Sequence, residues 1–380
     1  MRSSYKKEDV TMLLKDITGL VKPQPTEERE RLIQSGRHYS EMLPVEYVPT
    51  QRYMEVYKEA LCNFAQPTAL AVGRVSDKII QARGKEVVLV SLARAGIPIG
   101  ILIKHFIWQK YRLEVPHYAI SIIKGRGIDD NAMNYLLKQY QPRQLLFVDG
   151  WIGKGAILDE LRQAVEAYEG VSPELAVAAD PANVTALCGT HEDILIPSSC
   201  LNCTVSGLVS RTVLREDIIG PNDFHGAVYY GELADADLSY EFLDAIEQCF
   251  PRDVQRKVQQ SKTEHSKTEH SKAAQLPSDQ LQTEKQQASA AASGYGIDEV
   301  RALAEVFGVS ELQLIKPGIG ETTRVLLRRV PWKVLIDARY RNNPELGHIV
   351  RLAEEKQVPI EFYPLRHYKC CGIIKKLAEA

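Results

Sequence analysis

Four apolar residues, Leu145-Leu146-Phe147-Val148, run into Asp149 and a loop with three glycines, Gly150, Gly153 and Gly155. A helical pattern follows from about Ala156. An apolar run without alternation reads as a strand buried on both faces, which calls for a parallel sheet covered by helices. Such a strand delivers Asp149 to its C-terminal end, where the next helix points its positive N-terminus. A sugar phosphate suits the junction. The loop Gly150–Ala156, with Gly153, Lys154 and Gly155, would cradle the phosphate, and Asp149 would accept from ribose hydroxyls. Turn and capping needs also place Asp and Gly at such junctions. The P-loop pattern G-x-x-x-x-G-K-[ST] is absent.

The chain of 380 residues is long enough for two or three domains. With 47 Lys+Arg against 49 Asp+Glu, its formal net charge is -2. Any nucleic-acid affinity must therefore come from a local charge cluster. The N-terminus, Met1-Arg2-Ser3-Ser4-Tyr5-Lys6-Lys7, has no apolar signal core, and no apolar stretch approaches a membrane span. Seven scattered cysteines read as reduced thiols, so a cytoplasmic protein is expected.

Three regions are expected: a domain over 1–253, a flexible low-complexity linker over 254–295, and a small domain over 296–380. The linker contains Ser261-Lys262-Thr263-Glu264-His265 and its immediate repeat, with almost no large apolar residues to offset ordering entropy. In the first domain, strands are expected at Glu86–Leu92, Tyr118–Ile123 and Leu145–Val148. Asp193–Pro197 and Ala227–Tyr230 would add strands to the same sheet. Helices are expected near Asp9–Leu20, Thr50–Asn63, Ile101–Lys110 and Ile157–Tyr168. The alternation predicts a doubly wound parallel sheet, with ligands at its strand C-termini. The small domain should be a second α/β unit, with a helix at Asp298–Phe307, a strand at Lys333–Asp337, a helix at Glu345–Lys356 and a strand at Pro359–Tyr363.

Two further loops leave strand C-termini. Ala93-Arg94-Ala95-Gly96 offers small residues around one guanidinium, suited to a pyrophosphate. Lys124-Gly125-Arg126-Gly127 places two cations between glycines, suited to a closing lid.

Asp149–Ala156 resembles the ribose-phosphate loop of the phosphoribosyltransferases, and Ala93–Gly96 their pyrophosphate loop. The resemblance implies a sheet of phosphoribosyltransferase type, with a hood around Lys124–Gln141 closing over phosphoribosyl pyrophosphate and Mg²⁺. It implies transfer of phosphoribose to a base-like acceptor, with Asp149 and Arg94 as the central residues. The sequence departs from the common loop: one carboxylate, Asp149, stands where two are usual, and Gly153-Lys154-Gly155 replaces Thr-Thr-Gly. An inert sensor of such a ligand is a second reading.

His38–Pro44, Leu201–Val213 and Asp223–Ala227 resemble the bacterial family labelled cysteine protease StiP, associated with tellurium-resistance and stress gene clusters. Ile315–Gly320 and Tyr363–Ile374 resemble the pelota-type RNA-binding domain. The first label implies a third reading, a peptidase. By local setting its nucleophile would be Cys200, with His225 and Asp223 as partners. Cys200-x-x-Cys203 is half a zinc pattern, but Cys188 and His191 do not complete it at a standard spacing, so no metal site is expected. In the tail, Lys316, Arg324, Arg366, His367 and Lys369 are expected to contact RNA, with aromatics between the cations. A homodimer is left open.

Overall fold

The computed structural model describes residues 1–251 and 295–376. Leu145–Trp151 (β6) is central in a seven-stranded sheet. Across the sheet the order is Thr11–Met12 (β1), His117–Ile123 (β4), Val88–Ala93 (β3), β6, Leu175–Ala179 (β7) and Cys188–Thr190 (β8), with Gly127–Ile128 (β5) turned back on β4. All neighbours are parallel except the β4–β5 pair.

Because alternate side chains point to opposite faces, each central strand feeds two cores. Leu89, Leu146, Val148, Ala176 and Ala178 pack on one face beneath helices Gln51–Arg83 (α2), Gly96–Tyr111 (α3) and Ser239–Glu247 (α6). Val90, Leu145, Phe147, Leu175 and Val177 pack on the other beneath Asp130–Leu137 (α4) and Ala156–Val165 (α5). A short helix, Thr26–Gln34 (α1), lies outside these layers in sequence. Lys15–Asp16 (β2) and Gly226–Ala227 (β9) form a separate parallel pair.

The small domain has helices Tyr295–Val306 (α7), Ile319–Arg328 (α8) and Gly347–Glu355 (α9). Its four-stranded sheet runs Ile315–Pro317 (β10), Cys370–Ile374 (β13), Pro331–Ile336 (β11), Ile360–Phe362 (β12). β11 and β12 are parallel, and the other two pairs antiparallel.

The two parts share one apolar cluster. Val56, Tyr57, Phe64 and Leu195 pack with Ile319, Leu326, Val334 and Ile349. Around it, Asp193 accepts from the backbone N–H of Ile319 and of Lys369, each at 2.9 Å. That carboxyl therefore satisfies a donor at the start of α8 and another just before β13. The Tyr368 hydroxyl donates to the Gly153 carbonyl at 2.7 Å, and Arg329 forms a bidentate pair with Glu30.

Several expectations need correction. Asp193–Pro197 is irregular because Asp193 turns to the small domain instead of entering the sheet. Ala227 pairs with β2, not with the main sheet. Asp9–Leu20 forms the short strands β1 and β2 rather than a helix. The helix from Thr50 does not stop at Asn63: it runs to Arg83, carrying Pro67 within it. The supposed hood is built into the protein, since Ala132, Met133 and Leu136 of α4 are fully buried against the sheet. The expected linker 254–295, including the repeat, lies outside the described residues apart from its last position.

Candidate functional site

The loops after β3 and β6 do meet. A Cβ on Gly96 would lie 2.4 Å from the Val148 carbonyl oxygen, so only glycine lets α3 start this close to β6. Gly155, at φ +92°, turns the chain into α5. Asp149 stands between these loops. Burial pushes its carboxyl up to about 7, opposed by the Gly150 N–H, which donates to it at 2.7 Å.

Arg94, Lys154 and Arg126 of these loops are engaged elsewhere. Arg94 donates to Glu46, to the Val209 carbonyl at 2.9 Å and to Asn202 at 3.0 Å. Lys154 donates to the carbonyls of Leu312 at 2.7 Å and Ile315 at 3.2 Å, both in the small domain. Arg126 pairs with Glu41, while the N–H groups of Gly125 and Gly127 donate to Glu160. The Lys124 backbone is fixed by Tyr39 and His38. The loop is thus pinned, not poised to close.

Between the two domains lies a cavity of about 910 Å³. Its walls include Ala93, Arg94, Ala95, Asp149, Lys154 and Lys124 from the large domain, and Lys316, Glu321, Arg324 and Arg328 from the small one. Lys316 and Arg324, expected to contact RNA, instead line this partly open cavity. Of the other tail residues, Lys369 is buried and donates to Glu345 at 2.6 Å, and Arg366 is exposed. The backbone N–H groups of Arg366 and His367 donate to Glu299.

The sequence-expected peptidase residues occupy three different settings. Cys200 is fully buried in the apolar cluster between the domains, where burial pushes its thiol up to about 12. His225 contacts Ser121 through Nδ1 at 2.9 Å, and its backbone N–H donates to Asp129. Asp223 pairs with Lys15 at 2.6 Å. No contact among the described residues joins Cys200 to His225.

A different thiol and imidazole do meet. Asp180 follows β7, and Cys188 and His191 bracket the residues Gly189 and Thr190 on β8. Cys188 Sγ lies 3.4 Å from His191 Nε2, while His191 Nδ1 lies 3.0 Å from the Asp180 carbonyl. A proton on Nδ1 satisfies that carbonyl and leaves Nε2 to accept from the thiol. The Asp180 carboxylate, 3.7 Å from Nδ1, is held by the N–H groups of Val184 and Thr185. Its other oxygen, Oδ1, is buried without a partner. Cys188 is buried, and burial pushes its thiol up to about 12. The imidazole is the accessible member, with 47 % of its side chain exposed. Cys, His and Asp within 4.8 Å of one another also make a three-ligand set of the kind zinc accepts. Sequence reasoning set this pair aside on spacing alone. The available signal was Asp180 closing the apolar run Leu175–Ala179, as Asp149 closes β6.

Among the described residues, no helix is long and apolar enough to cross a membrane. A family model described as the tellurite-like stress resistance cysteine protease StiP matches residues 3–247, and one described as the PELOTA RNA binding domain matches 294–376. The protein named cysteine protease StiP of Acinetobacter baylyi is 32% identical over 389 residues, covering 99% of this chain and 94% of that protein. These matches overturn the expectation of a phosphoribosyltransferase acting on phosphoribosyl pyrophosphate, since family and relative alike carry a protease name. The geometry agrees, with Arg94, Lys154 and Arg126 tied to protein acceptors. The chain belongs to the StiP family of stress-resistance cysteine proteases and carries a PELOTA-type RNA-binding domain at its C-terminal end.

Proposed function

We propose that the protein is a cysteine peptidase in which Cys188 is the nucleophile and His191 its base. The observation that supports this reading is the 3.4 Å approach of Cys188 Sγ to His191 Nε2, with Nδ1 held by Asp180. In this scheme the thiol proton passes to Nε2 as sulfur attacks the peptide carbonyl. The imidazolium then protonates the departing amine, leaving a thioester. Water attacks the thioester, giving its proton to Nε2, and the carboxylic acid and the thiol are released. Because burial holds the thiol high, proton transfer to His191 accompanies attack rather than preceding it.

The test is labelling by a peptidyl thiol-reactive probe, alongside hydrolysis of an unstructured protein substrate. Cys188→Ser should abolish both, His191→Ala should slow labelling at least tenfold, and Cys200→Ala should leave both in place. Hydrolysis that survives Cys188→Ser sinks the assignment. Hydrolysis lost to a chelator but indifferent to alkylation would make Asp180, Cys188 and His191 a metal site instead.

A second reading concerns RNA. We infer that the small domain binds a single strand along β12, where exposed Phe362 is capped by Arg341 at 3.9 Å. Phe362→Ala should weaken binding of a single-stranded oligoribonucleotide about tenfold, and unchanged affinity would exclude this edge. The framework is read as of phosphoribosyltransferase type, supported by the loop contact at Gly96, without that family's transfer chemistry. A cytoplasmic location belongs to the same proposal, supported by all seven cysteines being free thiols.

A further inference from the structure

The interdomain cavity is lined by nine basic side chains against four carboxyls, and among the described residues Arg29, Arg211, Lys316 and Arg328 form no ion pair. Arg29 is only 8 % exposed, and its Nε is buried without a hydrogen-bond partner. Arg328 donates from Nη2 to the Ser199 carbonyl at 3.2 Å, but its Nε is likewise unpartnered. Arg211 stacks over Tyr39 at 4.5 Å from the ring centroid, with no hydrogen-bond acceptor among the described residues. Lys316 has none either. Buried donors without acceptors are costly, and buried cations crowded together more so. Burial and neighbouring guanidinium groups push both Arg211 and Arg328 down to about 9, and burial pushes Lys154 down to about 8. Cations gathered without ion-pair partners in one partly open cavity suit a ligand of the opposite charge.

We propose that this cavity binds a ligand carrying two or more phosphoryl groups, held between Arg29 and Arg211 of the large domain and Lys316 and Arg328 of the small one. Guanidinium groups match phosphoryl oxygens in a bidentate fork, and four donors from two domains suit an anion with several oxygens. The backbone of Gly153–Ala156 lines the same space, adding the start of α5. The source of the phosphoryl groups is either the terminus of an RNA strand or a free small molecule. The site is separate from Cys188 and does not rest on the peptidase reading.

The experiment is calorimetric titration of the full chain with inorganic diphosphate. Saturable binding is expected, weakened at least tenfold by Arg211→Met and by Lys316→Met. Neither variant should lower the melting temperature of the ligand-free protein by more than a few degrees, since each removes a charge repelled by its neighbours. Oligoribonucleotides bearing a 5′-triphosphate or a 5′-hydroxyl are then added as competitors. Displacement by the triphosphate form alone assigns the site to an RNA terminus, and displacement by neither assigns it to a small molecule. No saturable binding by the folded chain, undiminished binding in both variants, or equal displacement by both RNAs overturns the proposal. Cys188 labelling, measured on the same samples, shows whether the peptidase reading fails separately.

Discussion

His105 on α3 lies between two carboxylates, 2.8 Å from Asp9 Oδ1 and 2.6 Å from Glu247 Oε1. It therefore ties the N-terminal segment and α6 to α3. Burial lowers the imidazole's pKa, but hydrogen bonds and attraction from Asp9 and Glu247 outweigh it, raising the value to about 9 from 6.5. One unit corresponds to ~1.4 kcal/mol, so the clamp contributes about 3 kcal/mol. The folded value lies above the unfolded one, so this contribution is full below pH 6.5 and is lost as pH rises through 9. His105→Gln removes the charge and reaches only one carboxylate. Urea unfolding followed by tryptophan fluorescence should show the variant less stable by about 3 kcal/mol at pH 6. By pH 10 the gap should shrink below about 1 kcal/mol, because the wild-type imidazole is then largely neutral. A gap unchanged between pH 6 and pH 10 would refute the charged clamp.

Two other substitutions probe the site and the domain junction. A Cβ on Gly189 would fall 2.1 Å from the Ala71 carbonyl of α2, so Gly189→Ala must push β8 outward and displace Cys188 and His191 from Asp180. Probe labelling of Cys188 should fall at least tenfold with a loss of about 2 kcal/mol in stability, and normal labelling would show that the pair tolerates the shift. Tyr368→Phe removes the hydroxyl that donates to Gly153 and leaves that carbonyl without this partner. It should cost about 1 kcal/mol and increase proteolytic cleavage between the domains, so unchanged cleavage would assign the tyrosine a packing role only.

What the sequence made legible follows the range of each interaction. β3, β4, β6, β11 and β12 were readable because an apolar run with turn residues around it reports its own burial. β7 was not, since Leu175-Ala176-Val177-Ala178-Ala179 is small and carries little β-branched signal, and β8 is three residues long. Missing these two strands concealed the thiol–imidazole pair, because β8 pairing places Cys188 and His191 beside Asp180. Cys200, attractive for its polar neighbours, proved to be part of an apolar core completed by residues more than a hundred positions later. The basic residues of the tail were recognised as a cluster. Their direction was not legible, since Lys316 and Arg324 face inward only once α8 docks on the large domain. Arg29, Arg211 and Arg328 line one cavity across separations of more than a hundred residues, and no spacing rule links them.

The carboxyl of Asp193 is a latch between two pieces of one chain, and its partners lie 126 and 176 residues away along the sequence. Docking of the small domain is thus an intramolecular association whose strength depends on the two parts belonging to one chain. Cutting the chain between residues 251 and 295 would change the order of the reaction, not its contacts. Fragments ending before residue 252 and beginning near 295 should assemble as a heterodimer whose occupancy depends on dilution. The intact chain holds the same interface at any concentration.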